Sequence, residues 1–394
     1  MPQPARARER VPWLDAVRGL ALLALLPLAA EGLLHPRAKA LRGPALDPTQ
    51  HPVAWAAWVL LHAAGRETPV WLLSIAAGAG LALGRERRDD PDWTMNHRGR
   101  WLLLLAAALC FQLAVWPSGP LAGLPLAALL LAAPVRDRMA RPLWPAIAAS
   151  AVPIILALWE MAQWARYVDA SGQTWADIFQ PSNPDYDRWE SAAYAGDWRG
   201  QAEVHLAHWR DRTARALPLN DLWHAAAGLL AGIWWMRQGR HRNIAPWVRR
   251  SLAATGTLAC ATAAALATGE PTGLAMRLAG LLDYAGAGLV SISITACAAR
   301  AHASIWRTPV GTLLQRAGRR SLSIFAFTTT LLAALGHGWG LGLHGRLGFA
   351  QTATATASAI FVALAMSLPA DDRWARPLET WWRRAAGRLV RAAR

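Results

Sequence analysis

Long apolar runs separated by short polar breaks make up most of the chain. The first opens at Leu14-Asp15-Ala16-Val17-Arg18-Gly19 and carries no charge from Leu20 to Ala30, so it spans 14–34 with a charged pair at its front. Further runs cover 69–84, 101–116, 121–134, 143–160, 221–236, 251–268, 278–298, 321–336 and 347–368. A helix of about twenty apolar residues crosses a bilayer core of ~30 Å. The pattern predicts an all-α polytopic membrane protein of about ten transmembrane helices, a single transmembrane domain over 1–394. Pro145 and Pro153 are expected to bend the fifth helix. Ser74/Gly78 and Gly80/Gly84 are pairs of small residues four apart, which admit close approach of a second helix.

Three stretches break the rhythm. Residues 52–64 are semi-apolar and short, so they span, re-enter or lie at the interface, with Trp55 and Trp58 as anchors. Residues 161–218 are too polar to cross and too aromatic for a linker, carrying Trp164, Trp175, Trp189, Trp198 and Trp209. They read as an extracytoplasmic insert of short amphipathic helices on the membrane surface. Residues 369–394 read as a basic amphipathic tail, with Trp381 and Trp382 as apolar bulk and Arg383, Arg384, Arg388 and Arg391 toward anionic lipid. Glu379 and Arg383 are four apart, a spacing at which they pair along a helix.

Charge sets the orientation. Lys and Arg number 41 against 25 Asp and Glu, a net +16, and Lys39 is the only lysine. The arginines gather at the N-terminus, in the breaks near 85–100, 136–141, 237–250 and 300–320, and in the tail; the alternate breaks near 117–120, 269–276 and 336–346 are poor in them. Cytoplasmic loops carry the excess of basic residues, which puts both termini in the cytoplasm and the insert outside. The stretch 35–50, with Arg37, Lys39 and Arg42, is the exception. Because the arginines cluster between spans, no nucleic-acid partner is expected. Asp15 and Arg18 interrupt the front of the first run, so it reads as a retained span rather than a cleaved signal.

Charge inside a span marks a bundle interior or a site. Asp15 and Arg18, three apart, share a helix face and can pair, which is either a salt bridge at the cytoplasmic edge or part of a site. Asp283 sits about 7–8 Å below the start of its helix and must face protein or water; Arg277 is a possible snorkelling partner. His62 is a candidate base or a plain interface histidine. Glu203, His205 and His208 fall within about one helical turn, but with no third ligand at a known spacing a solvated face is preferred to a metal site. Cys110, Cys260 and Cys297 lie in apolar runs and pack as small hydrophobes. The glycine-rich 336–345 has no P-loop lysine, and no nucleophile elbow, zinc motif or nucleotide fingerprint occurs. No metal and no resident cofactor are expected.

Several segments resemble the YeiB-like bacterial membrane proteins, which carry domain of unknown function 418 (DUF418). These are Leu14-Asp15-x-x-Arg18-Gly19-x-Ala21, Trp71-Leu72-Leu73-Ser74 through Gly78-Ala79-Gly80, and Tyr194-Ala-Gly-Asp-Trp with Arg210. Gly318-Arg319-Arg320-Ser321-Leu322-Ser323 and Arg376-Pro377-Leu378-Glu379-Thr380-Trp381-Trp382-Arg383 are similar to the family's later motifs. Where the family carries a histidine and an acid around its third helix, this chain has Gln112 and Pro120; its first-helix asparagine is matched by Ala29 and its Asn-Tyr pair by Ile324-Phe325. The resemblance implies a bacterial inner-membrane protein, distantly similar to multi-span acyltransferases that draw on acyl-CoA. Glutamine at 112 cannot take a proton near neutral pH, which leaves His62 as the base near the first two spans. The expected function is acyl-group or small-molecule handling in an intramembrane cavity. The alternatives are a transporter without covalent chemistry, with Pro27, Pro153 and Asp283 at mid-depth, and a non-catalytic scaffold.

Overall fold

A computed structural model describes residues 11–36, 66–86, 93–117, 119–131, 142–172, 184–238, 244–266, 273–368 and 377–392. All regular structure among them is helical. In chain order the helices are α1 (Pro12–Leu34), α2 (Thr68–Glu86), α3 (Trp93–Ala114), α4 (Gly123–Leu130), α5 (Leu143–Ser171), α6 (Pro184–Ala195) and α7 (Trp198–Asp211). A π-helix, Arg212–Asp221, leads into α8 (Leu222–Arg237), α9 (Pro246–Leu266), α10 (Gly273–Arg300), α11 (Pro309–Arg319), α12 (Ser321–Gly336), α13 (Phe349–Ala365) and α14 (Pro377–Ala392). Among the described residues three helices are long and apolar enough to cross a membrane: Pro12–Leu34, Leu143–Ser171 and Arg277–Arg300. Thr68–Gly84, Ser321–Gly336 and Ala350–Ala365 are shorter apolar helices.

Helix 143–160 of the sequence reading continues to Ser171, taking in the first part of the polar insert. The remainder of the insert that is described forms α6, α7 and the π-helix. Segment 52–64 lies outside the described residues.

α1 sits at the centre, touching α2, α10, α11, α12 and α13. Leu22, Leu26 and Leu33 pack with Ile324, Phe325 and Leu332 of α12 and with Ala359 and Ala363 of α13. A second core joins α2, α4, α8, α9 and α10 around Ile75, Ala127, Leu229, Cys260 and Ala287. α5 leaves Ile147, Ile155, Leu158 and Trp159 exposed, as a helix facing lipid does.

Small residues set two of the closest crossings. A Cβ on Gly78 would strike the Leu229 carbonyl of α8, and one on Gly232 the Ile75 carbonyl of α2. The expected approach at Ser74/Gly78 is therefore met by a glycine pair on α8. Gly84, by contrast, faces nothing within 4 Å. Gly19 of α1 and Gly318 of α11 meet in the same way, each against the other helix's backbone.

That crossing adds to the reading of Asp15. The expected pair with Arg18 is present, Nη1 lying 3.8 Å from Oδ1, and a nearer cation joins it: Arg319 Nε donates to Asp15 Oδ2 at 3.0 Å. Arg18 Nη2 also donates to the Ala76 carbonyl of α2 at 3.3 Å. The i,i+3 spacing supplies the local pair, and the close crossing brings a second guanidinium from a distant helix. Next in sequence, the buried Arg320 donates to the Met366 carbonyl at the end of α13, at 2.8 Å. The tail helix α14 folds back on α3 and α12. Glu379 accepts from the Ser323 amide at 3.0 Å and from the Ser323 hydroxyl, capping the start of α12. A carboxylate at a helix N-terminus meets unsatisfied N–H groups and a favourable dipole. The expected Glu379–Arg383 pair falls on a side chain, that of Arg383, outside the described residues.

A methyl group added at the α1–α11 crossing should cost about 1–3 kcal/mol of stability, because two backbones must part to admit it. Gly318→Ala is expected to lower the melting temperature in detergent, while Gly84→Ala, in open space, stays neutral or gains from helix propensity. Equal melting of the two variants would contradict the crossing.

Candidate functional site

The second polar centre lies at the Glu31 end of α1, where α2 begins. Asp283 of α10 reaches this start: its Oδ1 accepts the Arg66 amide at 3.1 Å, and the Glu67 amide also donates to it. It serves as a cap supplied from another helix, satisfying N–H groups that α2 cannot bond internally. Its sequence-proposed partner, Arg277, turns away and binds Glu160 of α5 through both guanidinium ends at 2.8 and 3.0 Å. The spacing from Asp283 suited a snorkelling pair, but α5 passes closer to the Arg277 head group.

With the start of α2 fixed, Glu67 faces α8. Its Oε2 lies 3.3 Å from Nδ1 of His224, an imidazole only 1 % exposed. A carboxylate accepts, so Nδ1 carries a hydrogen, and in the neutral ring Nε2 presents its lone pair. Partial burial works against the Glu67 carboxylate, but contact with His224 and the Arg212 and Arg66 guanidiniums outweighs it and holds its pKa below the usual value. Arg66 also reaches Glu31 of α1 at 3.7 Å.

Two further rings close on the imidazole. Trp71 stands 4.6 Å from His224 and 5.5 Å from Tyr284, centroid to centroid, and Tyr284 meets His224 edge-on at 5.1 Å. Among the described residues His224 Nε2, the Tyr284 hydroxyl and the Trp71 indole N–H are all buried without a hydrogen-bond partner. Buried polar atoms are nearly always bonded, so one unfilled acceptor beside two unfilled donors on touching rings is what a bound polar group would complete. A hydroxyl or amine can pass its proton to Nε2, while a carbonyl oxygen can accept from the phenol or the indole.

The π-helix supports this arrangement. Its wider turns bring Arg212 back onto Asp221, both carboxylate oxygens lying 2.7 Å from Nη2. Such i→i+5 segments are rare and concentrate at functional places. Here it ends three residues before His224.

The residues singled out from the sequence scatter. Asp283 joins this centre as a cap. Asp15, Arg18 and Glu379 belong to the opposite end of α1. Gln112 is buried and donates to the Gly119 carbonyl, closing the chain after α3. His62 lies outside the described residues. Glu203 faces solvent beside Arg199 at 3.7 Å, whereas His205 and His208, expected on a solvated face, are buried because α7 docks on the bundle. No three side chains of ligating type gather for a metal ion among the described residues. The dyad itself went unread: His224 stands in an apolar run, a signal of the same kind as Asp283, and Glu67 opens the next helix after His62.

Residues 234–388 match the model of a family described as protein of unknown function (DUF418). Comparison with curated proteins and with solved structures gives no match.

Loss of a helix cap costs about 0.5–2 kcal/mol. Asp283→Ala should therefore lower the melting temperature, and Asp283→Asn, which keeps an acceptor for the Arg66 amide, should recover most of the loss. Equal destabilisation by both would argue against capping.

Proposed function

Taking residues 234–388 as a DUF418 region, we propose that the chain is a bacterial inner-membrane protein that transfers an acyl group to a small acceptor beside Glu67 and His224. In this proposal it crosses the membrane about ten times with both termini cytoplasmic, and the dyad lies in the outer half. The acceptor is extracytoplasmic, and acyl-CoA supplies the group from the cytoplasmic side. His224 Nε2 takes the proton of the acceptor hydroxyl as its oxygen bonds to the acyl carbon; the carbon–sulfur bond breaks, and the proton passes to the departing thiolate. Tyr284 and Trp71 supply donors for the carbonyl oxygen. What supports the reading is the carboxylate-held imidazole, buried, with its second nitrogen unpaired beside two unpaired donors. His224 thereby takes the part that the sequence offered to His62. Arg384, Arg388 and Trp381 are exposed on α14, and in this topology they meet anionic lipid of the inner leaflet.

The alternative is a transporter, favoured by the run of charge from Glu31 through Arg66 and Glu67 to Arg212 and Asp221. Two assays separate the readings. Purified protein given a panel of acyl-CoA donors and acceptors should turn over, and His224→Gln should lose about 10²–10⁴-fold, with Gln112→Ala near wild type. No turnover in the wild type, together with altered solute accumulation in Asp283→Asn cells, favours the transporter; silence in both assays leaves a scaffold.

The topology has its own check in the arginine alternation. A periplasm-active reporter fused near Asp185 should be active, and one near Arg242 silent. The reverse pattern would overturn the orientation.

A further inference from the structure

A separate cluster of rings fastens α6 and α7 to the bundle. Tyr194 of α6 lies against four imidazoles, its ring centroid 4.2 Å from His344, 4.9 Å from His337, 5.4 Å from His205 and 6.4 Å from His208. His205 and His208 come from α7; His337 and His344 come from the glycine-rich turn between α12 and α13. All four are at most 5 % exposed. The Gly338 amide adds a bond to the Tyr194 carbonyl at 2.7 Å.

Hydrogen bonds fix the tautomers. Nδ1 of His205 meets the Leu113 carbonyl and Nδ1 of His344 the Leu33 carbonyl, each at 2.9 Å. A carbonyl only accepts, so both Nδ1 atoms carry hydrogen and both Nε2 atoms are bare. His337 Nδ1 accepts the Trp339 indole N–H at 3.2 Å, so its hydrogen sits on Nε2. All three Nε2 atoms are buried without a hydrogen-bond partner. The packing is that of neutral rings. Burial, with His205 and His344 nearby, pushes His337 down to about 3; burial, against the Leu33 bond, takes His344 to about 4; burial also lowers His205.

The charges around the cluster do little to hold extra protons. Glu190 of α6 lies 3.8 Å from both His208 and His344, and His208 also meets the Tyr186 hydroxyl at 3.0 Å. From α1, His35 bonds Thr352 of α13 at 2.9 Å, and Glu31 turns to Arg66. On α6, Asp185 pairs with Arg188 in solvent and Asp187 is half-buried; on α7, Glu203 pairs with Arg199; in the π-helix, Arg212 is held by Asp221. Arg346, after the turn, is exposed. Among the described residues one carboxylate, Glu190, thus stands within 4 Å of the cluster, beside two of its four imidazoles.

We propose that this cluster is a proton-operated clasp that holds α6 and α7 on the bundle while its imidazoles are neutral and releases them when more than one ring is charged. Glu190 can balance one added proton; a second leaves a cation among uncharged rings. In the released form His205, His337 and His344 return to the ordinary imidazole pKa of about 6.5, so that form binds more protons below it. Docking is therefore complete above about pH 6.5 and weakens as pH falls toward the lower native values. α7 runs through the π-helix into α8, so release also pulls on the Arg212–Asp221 pair next to the dyad.

The test needs no reaction. In full-length protein in lipid nanodiscs, hydrogen exchange across 198–211, corrected for intrinsic rate, is compared at about pH 7.5 and about pH 5. Protection should fall about tenfold or more in acid, while α2 and α8 hold theirs. His205→Gln with His337→Gln should remove most of that fall; His205→Asn alone, a milder change, should reduce it; His302→Gln, on the surface, should leave it. Unchanged protection in acid-treated wild type, or a full acid response in the His205 variants, would overturn the clasp.

Discussion

Charge and unpaired backbone groups inside an apolar bundle must be satisfied by groups brought from elsewhere in the chain. An isolated ion in that setting is expensive, and so is a helix end with unmet N–H groups. Asp283 meets the start of α2, Glu379 the start of α12, and Arg320 the end of α13. Asp15 meets Arg319 across the α1–α11 crossing. In each case the partners lie far apart in sequence, so these bonds fix which helices are neighbours. A pair formed within one helix would stabilise that helix and say nothing about its place.

The Glu67–His224 centre follows from this constraint. Capping by Asp283 sets where α2 begins, and the glycine crossing of α2 with α8 sets how closely the two run. Together they bring Glu67 to Nδ1 of His224 and leave Nε2 free beside Trp71 and Tyr284. The π-helix tightens the approach from α7 by returning Arg212 to Asp221. Replacing any of these supports moves the imbalance of donors and acceptors that makes this place a candidate for chemistry. The same economy appears in Gln112, where a side chain capable of substrate contact is spent on the Gly119 carbonyl.

The sequence by itself determined the helices and the kind of residue that matters. Apolar length gave all-helical structure, with 321–336 matched end for end by α12 and 14–34 nearly so by α1. The small-residue pair Ser74/Gly78 marked a true crossing, and the opening, Gly-Arg-Arg-Ser and tail segments, read as separate motifs, proved to be one junction. These features are local: a run of side chains and a spacing of three or four residues carry them. Long-range partners were decided only by the tertiary structure. Local spacing supplied Arg18 to Asp15 and offered Arg277 to Asp283, while the packed bundle added Arg319 to Asp15, gave Asp283 the amide of Arg66 and brought Glu379 to Ser323. It also buried His205 and His208 and set His224 against Glu67. A charge in a medium of low polarity takes the best-placed counter-group in space, and distance in space is fixed by helix crossings that no single stretch of sequence contains.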